Sequence, residues 1–189
     1  ASRIGTKYLR GATGYGGPWF PRDNVAFAQL ARTLGSRADI AEATDRLNRY
    51  QVERVIGIIQ RRVRRESRIG LLGLSYKPST PVIEESPGLA IAARLLDGRY
   101  SVTAYDPMAL PAAQALVGDR ITAAPDAATC AAACDALVIA TAWPEFRNLS
   151  PDALAARQAR TLIVDCWRIL PAKQFAQVAD VVQPGRSPD

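Results

Sequence analysis

From residue 68 onward the chain alternates between two textures, and this alternation constrains its fold more than any other feature. Short apolar runs at 69–74, 101–105, near Ile121, 136–141, 161–165 and 178–182 read as strands. Stretches with helical spacing fall between them, at 88–96, 110–117, 127–133, 151–157 and 171–176. Strands that are apolar throughout, joined through helices, predict a parallel sheet covered on both faces, a Rossmann-like doubly wound α/β fold. Such a sheet takes ligands at the C-terminal ends of its strands. Those ends are Leu74-Ser75-Tyr76-Lys77, Tyr105-Asp106-Pro107, Thr141-Ala142-Trp143 and Asp165-Cys166-Trp167-Arg168. The first strand continues as Gly70-Leu71-Leu72-Gly73-Leu74-Ser75, which does not match G-x-G-x-x-G, so no pyrophosphate loop is expected there. Lys77 reads either as a clamp for a phosphate or carboxylate or as an ordinary solvated lysine.

The chain before residue 68 reads differently. Residues 1–23 are rich in Gly and Pro and aperiodic, so an irregular loop is expected. A helix over 24–34 carries Val25, Phe27, Ala28, Leu30, Ala31 and Leu34, and Gly35 stops it. A long helix over 40–65 carries a stripe of Val52, Val55, Ile56, Ile59 and Val63. At 1.5 Å per residue it spans about 39 Å, too long to bury its whole stripe in so small a domain, so it should support a second domain or a dimer partner. The expectation is a helical dimerisation region over 1–67, with a homodimer through helix 40–65, and a sheet domain over 68–189. The run Arg61, Arg62, Arg64, Arg65 and Arg68 reads as a solvated helix end that matches the helix dipole, or as a phosphate or nucleic-acid patch.

Composition narrows the chemistry. There is no histidine, which removes Ser-His-Asp and Cys-His catalysis and His metal sites. Cys130, Cys134 and Cys166 are an odd, irregularly spaced set, which argues for reduced thiols and a cytoplasmic setting. Cys130 and Cys134 lie about one helical turn apart, as packed small residues or as half of a metal site, and no metal is expected. All but three of the 24 basic residues are arginine, and the net charge is +6. An anionic ligand or a compositional bias explains this equally. No basic patch is interleaved with aromatics, so no nucleic-acid partner is expected. No apolar run nears the ~20 residues of a membrane span, and the N-terminus lacks a signal-peptide core, so no membrane association is expected.

Several motifs together resemble one family. Gly14-Tyr15-Gly16-Gly17-Pro18-Trp19-Phe20-Pro21-Arg22-Asp23 is similar to the active-site segment of the UDP-glucose/GDP-mannose dehydrogenases. Leu72-Gly73-Leu74-Ser75-Tyr76-Lys77-Pro78, Glu85-Ser86-Pro87, Tyr105-Asp106-Pro107 and Thr141-Ala142-Trp143-Pro144-Glu145-Phe146 follow in the family's order. The resemblance implies NAD-dependent oxidation of a nucleotide-linked hexose at C6 through a cysteine thioester, a dimer built on a central helix, and a C-terminal domain that binds the UDP-sugar. It places Tyr8 and Leu9 at the uracil and ribose, and Gly16 and Gly17 along the sugar loop. Tyr76 and Lys77 fall on substrate-contacting positions, and Arg3 reaches a neighbouring subunit's substrate. Asp23 falls on the acid that assists hydrolysis, and equally suits a plain helix start.

The departures point the other way. Trp19 stands at the nucleophilic cysteine, and indole forms no thioester. Trp167 replaces an expected arginine, leaving Arg168 as a weak candidate for a cofactor contact. Pro81, Val82 and Glu84 replace two carboxylates and an arginine. No NAD fingerprint lies in these 189 residues. The expectation is therefore the C-terminal part of a UDP-glucose 6-dehydrogenase-like protein. It binds the nucleotide sugar and dimerises, binds no NAD by itself and does not turn over. The alternatives are a non-catalytic binding or assembly module in which Trp19 and Trp167 fill the old active site, and a half-site for a separate NAD-domain partner.

Overall fold

The computed structural model describes residues 11–155, 157 and 159–185. Two helices lead, α1 (Phe20–Thr33) and α2 (Asp39–Arg62). Then follow β1 (Arg68–Leu72), α3 (Pro87–Asp97), β2 (Ser101–Tyr105), α4 (Leu110–Val117), β3 (Ile121–Ala123) and α5 (Ala127–Ala132). The chain continues with β4 (Ala136–Ile139), β5 (Thr161–Asp165), α6 (Ala172–Phe175) and β6 (Ala179–Val182). All five strand pairings are parallel, in the order β3-β2-β1-β4-β5-β6. The order reverses between β1 and β4, which makes the crevice above them the topological switch point.

Strand side chains alternate between two cores, as a period of two requires. Ile69, Leu71, Ala136, Val138, Leu162 and Val164 face one core with α2 and α3. Leu72, Leu137, Ile139 and Ile163 face the other with α5, Phe146 and Phe175. Gly70 lies under α5, where a Cβ would sit 2.9 Å from the Cys134 sulfur and from Leu137. Ser86 caps α3 through Leu89 N–H, with Pro87 in the first turn, and Asp126 caps α5 through Thr129 N–H at 2.7 Å.

The expected elements form, with boundaries moved by local chemistry. β1 stops at Leu72 because Gly73 turns with φ +103°. β4 stops at Ile139. α1 begins at Phe20, at the helix start that Pro21-Arg22-Asp23 signals, with Pro21 in its first turn. The helix expected over 151–157 is a 3₁₀ turn, Pro151–Leu154, capped by Ser150. A further 3₁₀ turn, Pro144–Asn148, was not expected.

The long helix corrects one expectation. Its stripe packs within this chain: Val52, Val55, Ile56 and Ile59 are all buried in the core under the sheet. Each such side chain contributes roughly 1.5–3 kcal/mol on burial. The stripe is therefore unavailable to a partner. The second half of α2 roofs the sheet and shares its core.

The first half of α2 pairs with α1 around Ala28, Ala31, Ala38 and Ala41 alone. Of the large apolar residues read as the inner face of α1, Val25, Phe27, Leu30 and Leu34 point outward instead. Phe20, Ile40, Leu47 and Tyr50 are exposed as well. Small side chains let the two helices approach closely, and the large ones are left outside.

At the switch point sits Asp106, 3% exposed. Its Oδ2 accepts from Leu74 N–H (2.7 Å), Ser75 N–H (2.9 Å), the Ser75 hydroxyl (3.0 Å) and the Trp143 indole N–H (3.1 Å). Its Oδ1 accepts from Met108 N–H (2.9 Å) and Ala109 N–H (2.7 Å). The loops leaving β1, β2 and β4 converge on this one carboxylate. Asp106→Ala strands these buried donors and is expected to cost at least ~3 kcal/mol. Urea unfolding measures this, and an unchanged midpoint would contradict it.

Candidate nucleotide-sugar site

The Gly-rich loop is clamped to the sheet's C-terminal edge from three sides. Asn48 of α2 reads the Tyr15 peptide at both ends: Tyr15 N–H donates to its Oδ1 and its Nδ2 donates to Tyr15 O, both at 2.8 Å. A Cβ on Gly14 would lie 2.3 Å from that amide oxygen. Gly17 N–H donates to Glu84 O at 2.9 Å. Arg168 Nη2 donates to Gly11 O at 2.8 Å. Glu85 and Arg168 both hold positive φ without being glycine, at 48° and 54°. Such strain persists only where the surroundings over-determine the backbone.

Gly16 and Gly17 are required by the chain's own packing. A Cβ on Gly16 would meet Glu85 O at 2.2 Å, and one on Gly17 would meet the Tyr76 ring at 2.6 Å. Gly17 also holds φ +89°. Tyr76 is half-buried beneath the loop, and the exposed Lys77 ammonium lies 5.4 Å from its ring centroid. The structure thus brings Gly16, Gly17, Tyr76 and Lys77 together. Arg168 joins them as a tether. Arg3, Tyr8 and Leu9 lie outside the described residues.

Trp19 and Asp23 stand at the start of α1. Trp19 is 65% exposed, with the Arg22 guanidinium 5.2 Å from its ring centroid. Most of its surface is open within this chain. Asp23 is an exposed carboxylate in the first helical turn, 3.8 Å from Arg22 Nε. Trp167 packs against the core and donates its indole N–H to Ala140 O at 2.7 Å. A cleft of about 700 Å³ opens beside the loop, walled by Gly17, Pro18, Pro21, Arg22, Arg49, Glu84 and Glu85 among others.

The switch-point crevice is closed. The Thr141 hydroxyl donates to Ser75 O at 2.7 Å, and a Cβ on Gly73 would strike Thr141. Asp106 sits where a dinucleotide fold offers a carboxylate to a ribose, but internal donors occupy both of its oxygens. The cysteines offer no nucleophile. All three are free and buried. Burial first of all pushes Cys130 up to about 12 and Cys134 up to about 11, and raises Cys166 further. Among the described residues no group of three His, Cys, Asp or Glu side chains could hold a metal ion, and no helix is long and apolar enough to cross a membrane.

Sequence reasoning missed Asn48 and the role of Asp106. Asn48 carries a signal, since asparagine in mid-helix is a poor helix former and its retention asks for a side-chain task. Asp106 stood in a strand-end motif with its local partners Met108 and Ala109, but the partners that join the loops after β1 and β4 to it lie 31 to 37 residues away in the chain.

The fold and loop define a class: a doubly wound parallel sheet whose ligand-facing edge carries a clamped Gly-rich loop in place of a phosphate-binding turn. The UDP-binding domain of the UDP-glucose/GDP-mannose dehydrogenase family matches residues 70–172, and that family's central domain matches residues 1–50. The chain belongs to this family. It is 35% identical over 179 residues to a UDP-glucose 6-dehydrogenase of Rhizobium meliloti, which covers 93% of this chain and 40% of the relative. It is 32% identical to the UDP-glucose 6-dehydrogenase TuaD of Bacillus subtilis, across 87% of this chain and 36% of that protein. The solved UDP-glucose dehydrogenase of Pyrobaculum islandicum superimposes with a TM-score of 0.83 at 30% identity, over 96% of this chain and 40% of that one. The chain thus spans about two fifths of the length of the relatives it matches.

Gly17→Ala tests the clamp. The residue would carry a side chain at positive φ, costing about 1–2 kcal/mol before any clash with Tyr76. A lower Tm and faster proteolysis within residues 11–19 are expected; if both match wild type, the glycine is not holding the loop.

Proposed function

We propose that this chain is the nucleotide-sugar-binding part of a UDP-glucose 6-dehydrogenase-like protein, and that by itself it holds a UDP-sugar without oxidising it. The observation that carries this reading is the Gly-rich loop clamped over Tyr76, beside an exposed Lys77 and with Trp19 at its outer end. In this reading Lys77 faces the diphosphate, where an ammonium acts as a point charge. Tyr76 and the Gly16–Gly17 backbone flank the sugar side, Tyr8 and Leu9 take the uracil and ribose, and Arg3 reaches the substrate of a neighbouring subunit. Asp23 keeps the hydrolytic acid's place with no thioester to act on. NAD belongs to the family reaction. What supports its not binding this chain alone is the closed crevice and the engaged carboxylate of Asp106. Three buried thiols accord with a cytoplasmic setting.

With UDP-glucose and NAD the chain is expected to form no NADH, while calorimetry registers UDP-glucose binding that weakens about tenfold or more in Lys77→Ala, the size of one charged contact to phosphate. Steady NADH formation would refute the inactivity, and absence of heat at millimolar UDP would refute the binding.

The outward apolar side chains of α1 and α2 favour self-association as well, through the exposed face of the helical pair rather than the Val52–Val63 stripe. Phe27, Leu30 and Leu34 continue along one side of α1, and Ile40, Leu47 and Tyr50 along α2. A surface this apolar is ordinarily covered. The same face supports the alternative of an assembly module with no ligand. Sedimentation is expected to show a dimer that Phe27→Glu with Leu47→Glu converts to a folded monomer. A monomeric wild-type chain would overturn the homodimer.

A further inference from the structure

The N-terminal edge of the sheet, opposite the candidate site, carries cations that nothing in the chain neutralises. Elsewhere arginines are paired: Arg32 with Glu42, Arg49 with Asp45, Arg94 with Glu53 and Arg160 with Asp180, at 2.8 to 2.9 Å. Arg61, Arg62, Arg64, Arg65 and Arg99 are exposed, and have neither an ion pair nor a side-chain hydrogen bond among the described residues. They come from three adjoining segments. Arg61 and Arg62 end α2, Arg64 and Arg65 lie in the turn that leads to β1, and Arg99 lies in the turn that leads to β2. The two turns are neighbours: Ser101 N–H donates to Ser67 O at 3.3 Å, and Arg68 stands beside Ser101 in the strand register. Within residues 61–68 and 98–101 Glu66 is the sole carboxylate.

The helix dipole accounts for Arg61 and Arg62, in the last turn of α2, but its field fades within that turn. Arg64, Arg65 and Arg99 need another reason. Arg99 closes α3 in the left-handed conformation, at φ 64°, with its own N–H on Leu96 O and Tyr100 N–H on Leu95 O, both at 3.0 Å. Glycine is the usual residue at that capping position. A larger side chain there carries strain, and here it ends in a free cation.

We propose that this corner docks an acidic polypeptide segment, a run of Asp and Glu from a partner protein. Guanidinium forks pair with carboxylates two bonds at a time. A run of acidic residues matches the charge density of four arginines within five residues, and an extended chain follows exposed turns without needing a groove. Single-stranded nucleic acid asks for exposed aromatic rings, and Tyr100, the aromatic residue of these turns, is 5% exposed. A duplex asks for a longer stripe of cations, but the flanks are neutralised, Arg68 by Asp135 at 3.4 Å and Arg120 by Asp97 at 3.6 Å. A bilayer favours apolar side chains beside the cations. The last large one that α2 exposes is Tyr50, about 16 Å before Arg61 at 1.5 Å per residue.

Fluorescence anisotropy with the whole chain and a labelled poly-glutamate peptide of about eight residues, ~26 Å when extended, tests this. Binding is expected at an ionic strength of about 0.02 M, and weaker binding at about 0.15 M. Arg64→Glu with Arg65→Glu is expected to weaken it about tenfold or more. Arg147→Glu with Lys173→Glu makes the same change in net charge at exposed residues elsewhere, and should leave binding near the wild-type value. Absence of binding at the lower salt, or equal losses in the two variants, would overturn the proposal. So would a DNA duplex or an anionic phospholipid vesicle that binds more tightly than the peptide and loses its affinity when Arg64 and Arg65 are reversed. Arg99→Gly keeps the fold secure, because glycine suits φ 64°. It should raise Tm and weaken peptide binding, and binding that stays unchanged would overturn the proposal as well.

Discussion

One carboxylate organises the ligand-facing edge of this protein. Asp106 leaves β2 beside the point where the strand order reverses, and three loops direct their hydrogens at it. Buried without partners it would be very costly, but with six donors it becomes the fixed point from which the edge is built. Ser75 is held by it, and Ser75 O in turn receives the Thr141 hydroxyl. Tyr76 therefore emerges at a set height, and on Tyr76 the Gly-rich loop comes to rest. The route from the sheet to the candidate site passes through this group.

The same anchoring explains why a Rossmann-like sheet here lacks the usual dinucleotide crevice. The ribose-binding carboxylate of such folds must keep an oxygen free. Asp106 has none, and Gly73 leaves no more space than Thr141 fills. The proposed ligand surface therefore lies farther out, on the loop and the helical pair.

The sheet was legible in the sequence because burial on both faces writes unbroken apolar runs such as Leu71-Leu72 and Ala136–Ile139, and because Gly and Pro punctuate them. Short helices were harder. A turn such as Pro144–Asn148 has too few residues for a period to show. The stripe from Val52 to Val63 was read as apolar and left to either a second domain or a partner, and it packs on the sheet, since periodicity says that a face is buried but not against what. For α1 the period itself misled: Phe27 and Leu30 looked like core, yet alanines take the inner face because the two helices pack closely. Of the candidate site, the motif residues Gly16, Gly17, Tyr76 and Lys77 were visible as a resemblance. The clamps from Asn48, Glu84 O and Arg168 were not, because they join segments far apart in the chain.

Amide chemical-shift mapping with UDP-glucose tests the central claim most directly, namely that the ligand lies on the clamped loop and not in the switch-point crevice. The account predicts perturbations centred on Gly16, Gly17, Tyr76 and Lys77, with Met108, Ala109 and Thr141 unmoved. Perturbations centred on Met108, Ala109 and Thr141, or none anywhere, would contradict it.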